Sequence, residues 1–197
     1  MQAAIEITVA DRIAAWKQPL ERHIEELGLA IEQRFPLQFG GAAGTLDRFD
    51  DRGPAHRTLQ ADALGLADVP QWHSQRDRIA TFASLLSLIT GGLGKLGQDI
   101  ALMAQDGGEI VLSGGGGSSA MAHKHNPVSA EALVTLARFN ATALAGLHQS
   151  LVHEQERSGS AWTLEWMLLP QMAVAAGSAT RLAGAVVRSI EDMGSVR

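Results

Sequence analysis

The hydrophobic positions between Ile79 and Met103 recur at alternating spacings of three and four residues. The repeat consists of Ile79, Phe82, Leu86, Ile89, Leu93, Leu96, Ile100 and Met103. A heptad repeat of this length predicts one long helix that packs nearly parallel or antiparallel to other helices. Four glycines, Gly91, Gly92, Gly94 and Gly97, fall inside it, although each costs roughly 1 kcal/mol relative to alanine in a helix. We expect them to admit a neighbouring backbone; the alternative is a break or kink near Thr90.

Three other segments show helical periodicity. Apolar positions from Val9 to Ile31 predict a first helix that stops before Pro36, because proline disfavours helical geometry at the residue before it. Positions from Leu133 to Leu151 predict a third helix, and positions from Leu164 to Val186 predict a fourth. Pro170 is expected either to bend the last helix or to mark its start.

Asn126 and Pro127 form a start signal for the third helix, since asparagine caps free amides and proline suits the first helical position.

The segments between the predicted helices differ in composition from the helices. The intervening segments cover residues 38–54, 107–126 and 153–162. In a helix bundle such loops lie at the ends, where side chains from several helices converge. We therefore expect the chemistry of the protein at the ends of the bundle.

The composition fits a single helical domain. The chain has 197 residues, of which 46% are hydrophobic and 19% charged, so it can bury a core. A net charge of −5 gives no basic surface for nucleic acid or for an anionic membrane. The absence of cysteine excludes disulfides, thiolate metal sites and a cysteine nucleophile. No signal peptide and no apolar run of membrane-spanning length are evident, so we expect a cytoplasmic protein that does not enter the membrane.

One loop carries most of the recognisable chemistry. Four glycines at positions 114–117 precede the hydroxyls of Ser118 and Ser119, and Lys124 and Asn126 follow. Glycine amides approach bound anions closely, lysine pairs with carboxylates, and asparagine adds donors at a helix start. This pattern predicts a mobile anion-binding loop with a serine base or nucleophile; a flexible linker is the alternative. A phosphate-binding P-loop is excluded because no serine or threonine follows the lysine.

The segment from Gly117 to Pro127 resembles the signature G-S-S-x-M-P-x-K-x-N-P of the fumarase/aspartase superfamily. Its one departure is Ala122, where the signature has proline, and this change removes no functional group. Within the superfamily, the segments from Trp72 to Asp77 and from His153 to Trp166 are most similar to the carboxymuconate cycloisomerases. Residues 40–45 match a further segment of those enzymes.

The resemblance implies an all-α fold, in which residues 1–197 form the long-helix central domain of the superfamily. Such domains associate into a homotetramer around a bundle of twenty helices, and each active site takes segments from three subunits. Members of the superfamily are longer than this chain, with a domain on either side. We therefore expect the N-terminal and C-terminal domains to be missing, and the chain to be a fragment or an inactive product.

The resemblance also assigns roles to individual residues. Ser118 would be the catalytic serine base. Substrate-binding roles fall on Ser119, Met121, Lys124, Asn126, Trp72, His73 and Arg157. For Trp72 and His73 the alternative is ordinary packing at a helix end, and for Arg157 it is a surface ion pair with Glu154 or Glu156. Trp162 and Trp166 are expected to anchor a core or an interface.

The resemblance implies no metal and no cofactor, and the two histidines beside Lys124 lack a neighbouring carboxylate to complete a metal site. The expected substrate is a small dicarboxylate or tricarboxylate, and the expected reaction is lactonisation of a carboxymuconate by its own carboxylate. Two other hypotheses remain open at this point. One is a lyase of the adenylosuccinate or argininosuccinate type that releases fumarate, and the other is a non-catalytic helical oligomerisation module.

Overall fold

The computed structural model describes residues 5–33, 35–105, 109–114, 116–117 and 125–194. Four long helices dominate it. The helices are α1 (Val9–Glu32), α2 (Gly53–Leu64), α3 (Asp77–Gln105), α4 (Val128–Gln149) and α5 (Gly159–Arg188), with a 3₁₀ segment at Asp47–Arg52. The short strands are β1 (Ile110–Leu112), β2 (Gly116–Gly117), β3 (His125–Asn126) and β4 (Ile190–Met193). The prediction of an all-α bundle of long helices is confirmed.

Helix α3 is continuous from Asp77 to Gln105, which confirms the heptad seam and excludes the predicted alternative of a break near Thr90. The Thr90 side chain is fully buried, and its hydroxyl donates to the carbonyl of Leu86 within the helix, 3.1 Å away. The helix is long and apolar enough to cross a membrane by length and composition. Its buried side chains instead pack against α1, α4 and α5, as in the central helix of a bundle.

Two of the four glycines in α3 lie where α4 approaches most closely. A Cβ at Gly94 would lie 2.5 Å from the Cβ of Ala137, and one at Gly97 would overlap the carbonyl oxygen of Ala130. The prediction of a close neighbouring backbone is confirmed at these two positions. A Cβ at Gly91 would meet no atom within 4 Å, so that glycine has no such role.

Helix α4 runs antiparallel to α3 and to α5, which both begin at the same end of the bundle. Along α3 and α4, Gly97 faces Ala130 and Gly94 faces Ala137, so the two chains run in opposite directions. The amide of Asn140 in α4 donates to the carbonyl of Met172 in α5, and Gly146 faces Leu168, so these helices are antiparallel as well.

Helix α1 is docked on α3 through a buried carboxylate. The indole N–H of Trp16 donates to Asp99, 2.7 Å away, and Lys95 and Arg12 also approach this carboxylate. A buried carboxylate is tolerated because it is paired and hydrogen-bonded. The start of α1 is set by a reciprocal capping box between Thr8 and Asp11.

The predicted helix ends are confirmed in part. Helix α1 ends at Glu32, before Pro36, as expected. The expectation that Asn126 caps α4 is wrong: Pro127 occupies the cap position without a side-chain hydrogen bond, and Asn126 pairs with Gly116 in the β2–β3 ribbon. Pro170 does not mark the start of α5, which begins at Gly159 and continues through the proline on an exposed side of the helix.

The antiparallel arrangement gives the bundle two distinct ends. The loop end holds β1 paired with β4, β2 paired with β3, and the start of α4. The tryptophan end holds residues 35–77 and 150–166, where α3 and α5 begin and α4 ends. Helix α3 has 29 residues. At about 1.5 Å per residue it separates the two ends by about 40 Å.

We predict opposite effects for alanine at two glycines of α3. Gly97→Ala should lower the free energy of unfolding by about 1–3 kcal/mol, because the new methyl group overlaps the Ala130 carbonyl. Gly91→Ala is the matched control and should raise it by about 0.5–1 kcal/mol, since the methyl group meets open space and improves helix propensity. Urea unfolding of both variants measures the difference, and a Gly97→Ala variant as stable as the control would contradict the close helix contact.

Candidate active site

A buried ion pair joins the two parts of the chain that form the tryptophan end, residues 35–77 and 150–166. Arg76, at the start of α3, donates to Glu165 in the second turn of α5 through two bonds, Nε to Oε2 at 3.0 Å and NH2 to Oε1 at 2.5 Å. Both side chains are only 5% exposed. Arg76 also donates to the side-chain oxygen of Gln38. A two-bond pair of this kind fixes the orientation of both side chains. No pattern in the local sequence predicts this pairing for either residue.

Trp72 lies beneath this pair. Its indole N–H donates to the carbonyl of Leu37 at 3.1 Å, and its ring lies 4.8 Å from the guanidinium carbon of Arg76. The side chain is 6% exposed. These contacts fit ordinary packing at a helix end, which was the alternative expected for Trp72. A contact between Trp72 and the substrate stays a prediction.

His73 is buried beside Trp72, and its position is fixed by contacts with Gln71 and Trp162. Its Nδ1 lies 3.0 Å from the side-chain oxygen of Gln71, and its ring stacks on Trp162 with centroids 6.0 Å apart. Burial lowers the pKa of His73, and the positive charges of Arg157 and Arg76 lower it further, against an opposing hydrogen bond with the backbone of Gly41. His73 is therefore an uncharged ring near neutral pH.

Arg157 lies on the exposed side of this cluster. Its guanidinium carbon is 4.5 Å from the centroid of Trp162, and its NH2 donates to the carbonyl of Gly41 at 3.2 Å. It forms no ion pair with Glu154 or Glu156, two acidic residues that the structure describes, so the expected surface ion pair is not observed. Because none of the described carboxylates pairs with it, this exposed guanidinium is available to an anion.

His153 and Trp162 complete the cluster, and neither was chosen as a site residue from the sequence. Their rings meet edge to face with centroids 6.4 Å apart. Burial lowers the pKa of His153, and Arg76 lowers it further, while Glu165 and Glu154 act in the opposite direction. Trp162 also contacts Trp166, which is 65% exposed in a single copy, so an interface role for Trp166 stays a prediction.

The structure does not bring all the predicted site residues together. Trp72, His73 and Arg157 share the tryptophan end, whereas Asn126 lies at the loop end, half-buried in β3. The predicted residues Ser118, Ser119, Met121 and Lys124 lie outside the described residues. Because the bundle separates its ends by about 40 Å, one copy cannot place Asn126 beside Arg157.

A cavity of about 250 Å³ lies at the loop end. It is bordered by β1, Gly116, the start of α4 and the last turn of α5, and three serines, Ser113, Ser129 and Ser189, contribute to its wall. Two of their hydroxyls already donate to backbone carbonyls, Ser113 to Ser189 and Ser189 to Val186. In the part of the chain that the structure describes, no group of three or more histidines and carboxylates is arranged to hold a metal ion.

The chain is similar to a family of lyases and to individual enzymes within it. The family model described as Lyase matches residues 1–141. The chain is 36% identical to 3-carboxy-cis,cis-muconate cycloisomerase of Pseudomonas aeruginosa over 196 residues, covering 97% of this chain and 43% of that protein. It is 36% identical to the enzyme of the same name from Acinetobacter baylyi over 177 residues, covering 87% of this chain and 39% of that protein.

The solved structures agree with the sequence comparison. The crystal structure of 3-carboxy-cis,cis-muconate lactonizing enzyme from Pseudomonas putida superposes with a TM-score of 0.86 at 35% identity. The match covers 96% of this chain and 43% of that structure. The chain thus spans less than half the length of the relatives that it matches.

We predict that the ion pair between Arg76 and Glu165 is a main determinant of stability at the tryptophan end. Glu165→Gln should lower the free energy of unfolding by about 3–5 kcal/mol, because it leaves the buried guanidinium without its carboxylate. In the matched control Glu21→Gln, the exposed pair with Lys17 is lost, which should cost less than about 0.5 kcal/mol. Urea unfolding separates the two, and equal losses would contradict the assignment.

We also predict that stability falls on mild acidification. His73 and His153 have pKa values below the ordinary value of 6.5 in the folded chain. As the pH falls below 6.5, the unfolded chain takes up protons at these rings before the folded chain does, so the free energy of unfolding decreases. The carboxyls with lowered pKa values titrate in a more acidic range and do not contribute to this window.

Urea unfolding at several values between about pH 7.5 and 5.5 measures this dependence. The double variant His73→Gln, His153→Gln should show a smaller decrease than the wild-type chain. A variant at the exposed His148, His148→Gln, serves as the control and should retain the wild-type decrease. An unchanged pH dependence in the double variant would show that the two rings are not its source.

Proposed function

Because the chain belongs to the lyase family, within the fumarase/aspartase superfamily, we propose that it forms the central helical domain of a 3-carboxy-cis,cis-muconate cycloisomerase-like enzyme. The observation that carries the proposal is the folded cluster at the tryptophan end. There the two segments that resemble carboxymuconate cycloisomerases meet through Arg76 and Glu165 and present Arg157 at the surface. Residues 1–197 would be this domain, with further domains of the enzyme on either side.

Counted on the fully protonated acids, the proposed reaction is an isomerisation; in the ionised form, ring closure takes up one proton, which Ser118 delivers and then regains from solvent. One carboxylate oxygen of the substrate forms a bond to an alkene carbon, and the neighbouring carbon takes a proton, so a lactone closes. Ser118 exchanges this proton: its hydroxyl donates in the direction of ring closure, and its alkoxide accepts in the direction of ring opening. Serine can do so only if the alkoxide is stabilised, a role that we assign to the loop amides and Lys124.

Substrate binding is divided between the two ends of the bundle. Arg157 would pair with a carboxylate, because its guanidinium is exposed and has no acidic partner among the described residues. His73 would form an uncharged wall behind it, and Trp72 would hold the start of α3 in place. At the loop end, the resemblance supports contacts of Lys124 and Asn126 with another carboxylate, next to Ser119 and Met121.

A complete site then requires more than one copy of the chain. Because about 40 Å separates the two ends, an antiparallel neighbour must bring its loop end to the tryptophan end of the first copy. Large apolar side chains on the outer faces of the bundle favour such an association. They include Ile13, Leu88, Leu102, Phe139, Val174 and Val187, each at least 41% exposed. We propose a homotetramer in the cytoplasm, with a small tricarboxylate as its substrate.

The proposal predicts the behaviour of a serine variant in the whole enzyme. Ser118→Ala should lower turnover of 3-carboxy-cis,cis-muconate by about 10²–10⁴-fold, the usual contribution of a group that transfers a proton. Ser113→Ala, at an exposed serine just before the glycine run, is the matched control and should retain activity. Lactone formation followed by absorbance measures both.

Two results would contradict the proposal. Full turnover by Ser118→Ala would remove the serine from the reaction. Release of fumarate from adenylosuccinate or argininosuccinate, with no activity on the carboxymuconate, would assign the chain to the other lyases of the superfamily.

A further inference from the structure

Three buried polar atoms at the tryptophan end have no hydrogen-bond partner among the described residues. They are both ring nitrogens of His153 and the indole nitrogen of Trp162. A buried donor without a partner has lost its hydration without compensation, so such groups are rare in folded proteins. All three atoms lie on two rings that contact each other, so these rings mark a place for a further polar group.

The neighbouring His73 provides an internal contrast. Its ring nitrogen Nδ1 and its backbone amide both contact the side chain of Gln71, and the backbone of Gly41 adds a further hydrogen bond. His73 thus has hydrogen-bond partners within the chain, whereas the ring of His153 has none among the described residues. His153 and Trp162 are therefore the rings whose hydrogen bonds must come from outside the described residues.

The charges around these rings favour an anion as the missing group. The carboxylate of Glu165 is already engaged by Arg76. The guanidinium of Arg157 lies over Trp162 and is held there by one hydrogen bond to Gly41 and by its contact with the ring. An exposed cation–π contact is weak, at about 0.5–1 kcal/mol, so a carboxylate can draw Arg157 away from the indole.

We propose that His153 and Trp162 determine the substrate specificity of this site, each donating one hydrogen bond from its ring N–H to the same carboxylate of the substrate. Arg157 leaves the face of Trp162, pairs with the same carboxylate, and thereby opens the two ring N–H groups. The inference rests on the proposed function, in which a tricarboxylate binds at this end of the bundle. A carboxylate fits because it only accepts hydrogen bonds, whereas an uncharged imidazole and an indole each offer an N–H.

The uncharged state of His153 is part of this recognition. Burial and Arg76 lower the pKa of the ring, while Glu165 and Glu154 oppose that change. A neutral ring donates one hydrogen bond without adding a third positive charge beside Arg76 and Arg157. The site therefore distinguishes substrates by the position of a carboxylate and not by total charge alone.

Binding of tricarballylate, an unreactive tricarboxylate, tests the proposal by calorimetry on the full chain. His153→Phe and Trp162→Phe should each weaken binding by about tenfold, since each removes one donor from a charged acceptor. His153→Gln retains an N–H and should recover most of the affinity. His148→Phe, at an exposed histidine of α4, is the matched control and should bind as the wild-type chain does. Thermal unfolding identifies any variant that has lost its fold.

A spectroscopic measurement separates recognition from a structural role. The imidazole ¹⁵N signals of His153 should move on addition of tricarballylate in the wild-type chain and in Trp162→Phe, but those of His73 should move much less. Wild-type affinity in both His153→Phe and Trp162→Phe, with binding lost in Arg157→Ala, would overturn this inference and leave the proposed function standing. Absence of tricarballylate binding by the wild-type chain would overturn both.

Discussion

The uninterrupted course of α3 sets the geometry on which the candidate site depends. The helix spans Asp77–Gln105 without a break, and Gly94 and Gly97 allow α4 to pack directly against its backbone. The bundle is therefore closely packed along its length, and the polar loops lie at its two ends. About 40 Å of closely packed helix between them excludes a site built from both ends of one copy.

At the tryptophan end, a second constraint decides which charges reach the surface. Arg76 and Glu165 neutralise each other in the interior, and burial keeps His73 and His153 uncharged. Arg157 is the positive group that this cluster presents outward. The cluster thus combines an exposed positive charge with apolar, hydrogen-bonding rings, a combination that suits a bound carboxylate.

The sequence predicted the four long helices well, because long heptad periodicity reflects burial along a whole face, but it did not predict the short helix α2. It also predicted the role of Gly94 and Gly97, since glycine destabilises a helix interior and is favoured there where a neighbouring backbone leaves no room for a Cβ. Local boundaries were predicted only in part. Helix α1 ends before Pro36 as expected, whereas Asn126 pairs with Gly116 in a short ribbon instead of capping α4, and Pro170 does not mark the start of α5.

The site was harder to predict than the fold for a physical reason. The partner of Arg157 is the backbone of Gly41, 116 positions away, and the carboxylate bound by Arg76 is 89 positions away. Local sequence suggests a nearby glutamate as the partner of Arg157, whereas the fold supplies a carbonyl and an indole ring. The ring nitrogens of His153, which lack a hydrogen-bond partner in the described part of the chain, could not be recognised at all, because this lack is visible only when the neighbours of the ring are known.

The central claim is that the two ends of different copies form one active site, and subunit mixing tests it most directly. In the whole enzyme, Ser118→Ala disables the loop end of the site, and Arg157→Ala disables the tryptophan end. Each variant alone should therefore be inactive on 3-carboxy-cis,cis-muconate. When the two variants are unfolded and refolded together, some sites will combine an intact loop end with an intact tryptophan end. Recovery of activity in the mixture, and in neither variant refolded alone, is the predicted result. A mixture as inactive as its components would contradict the account.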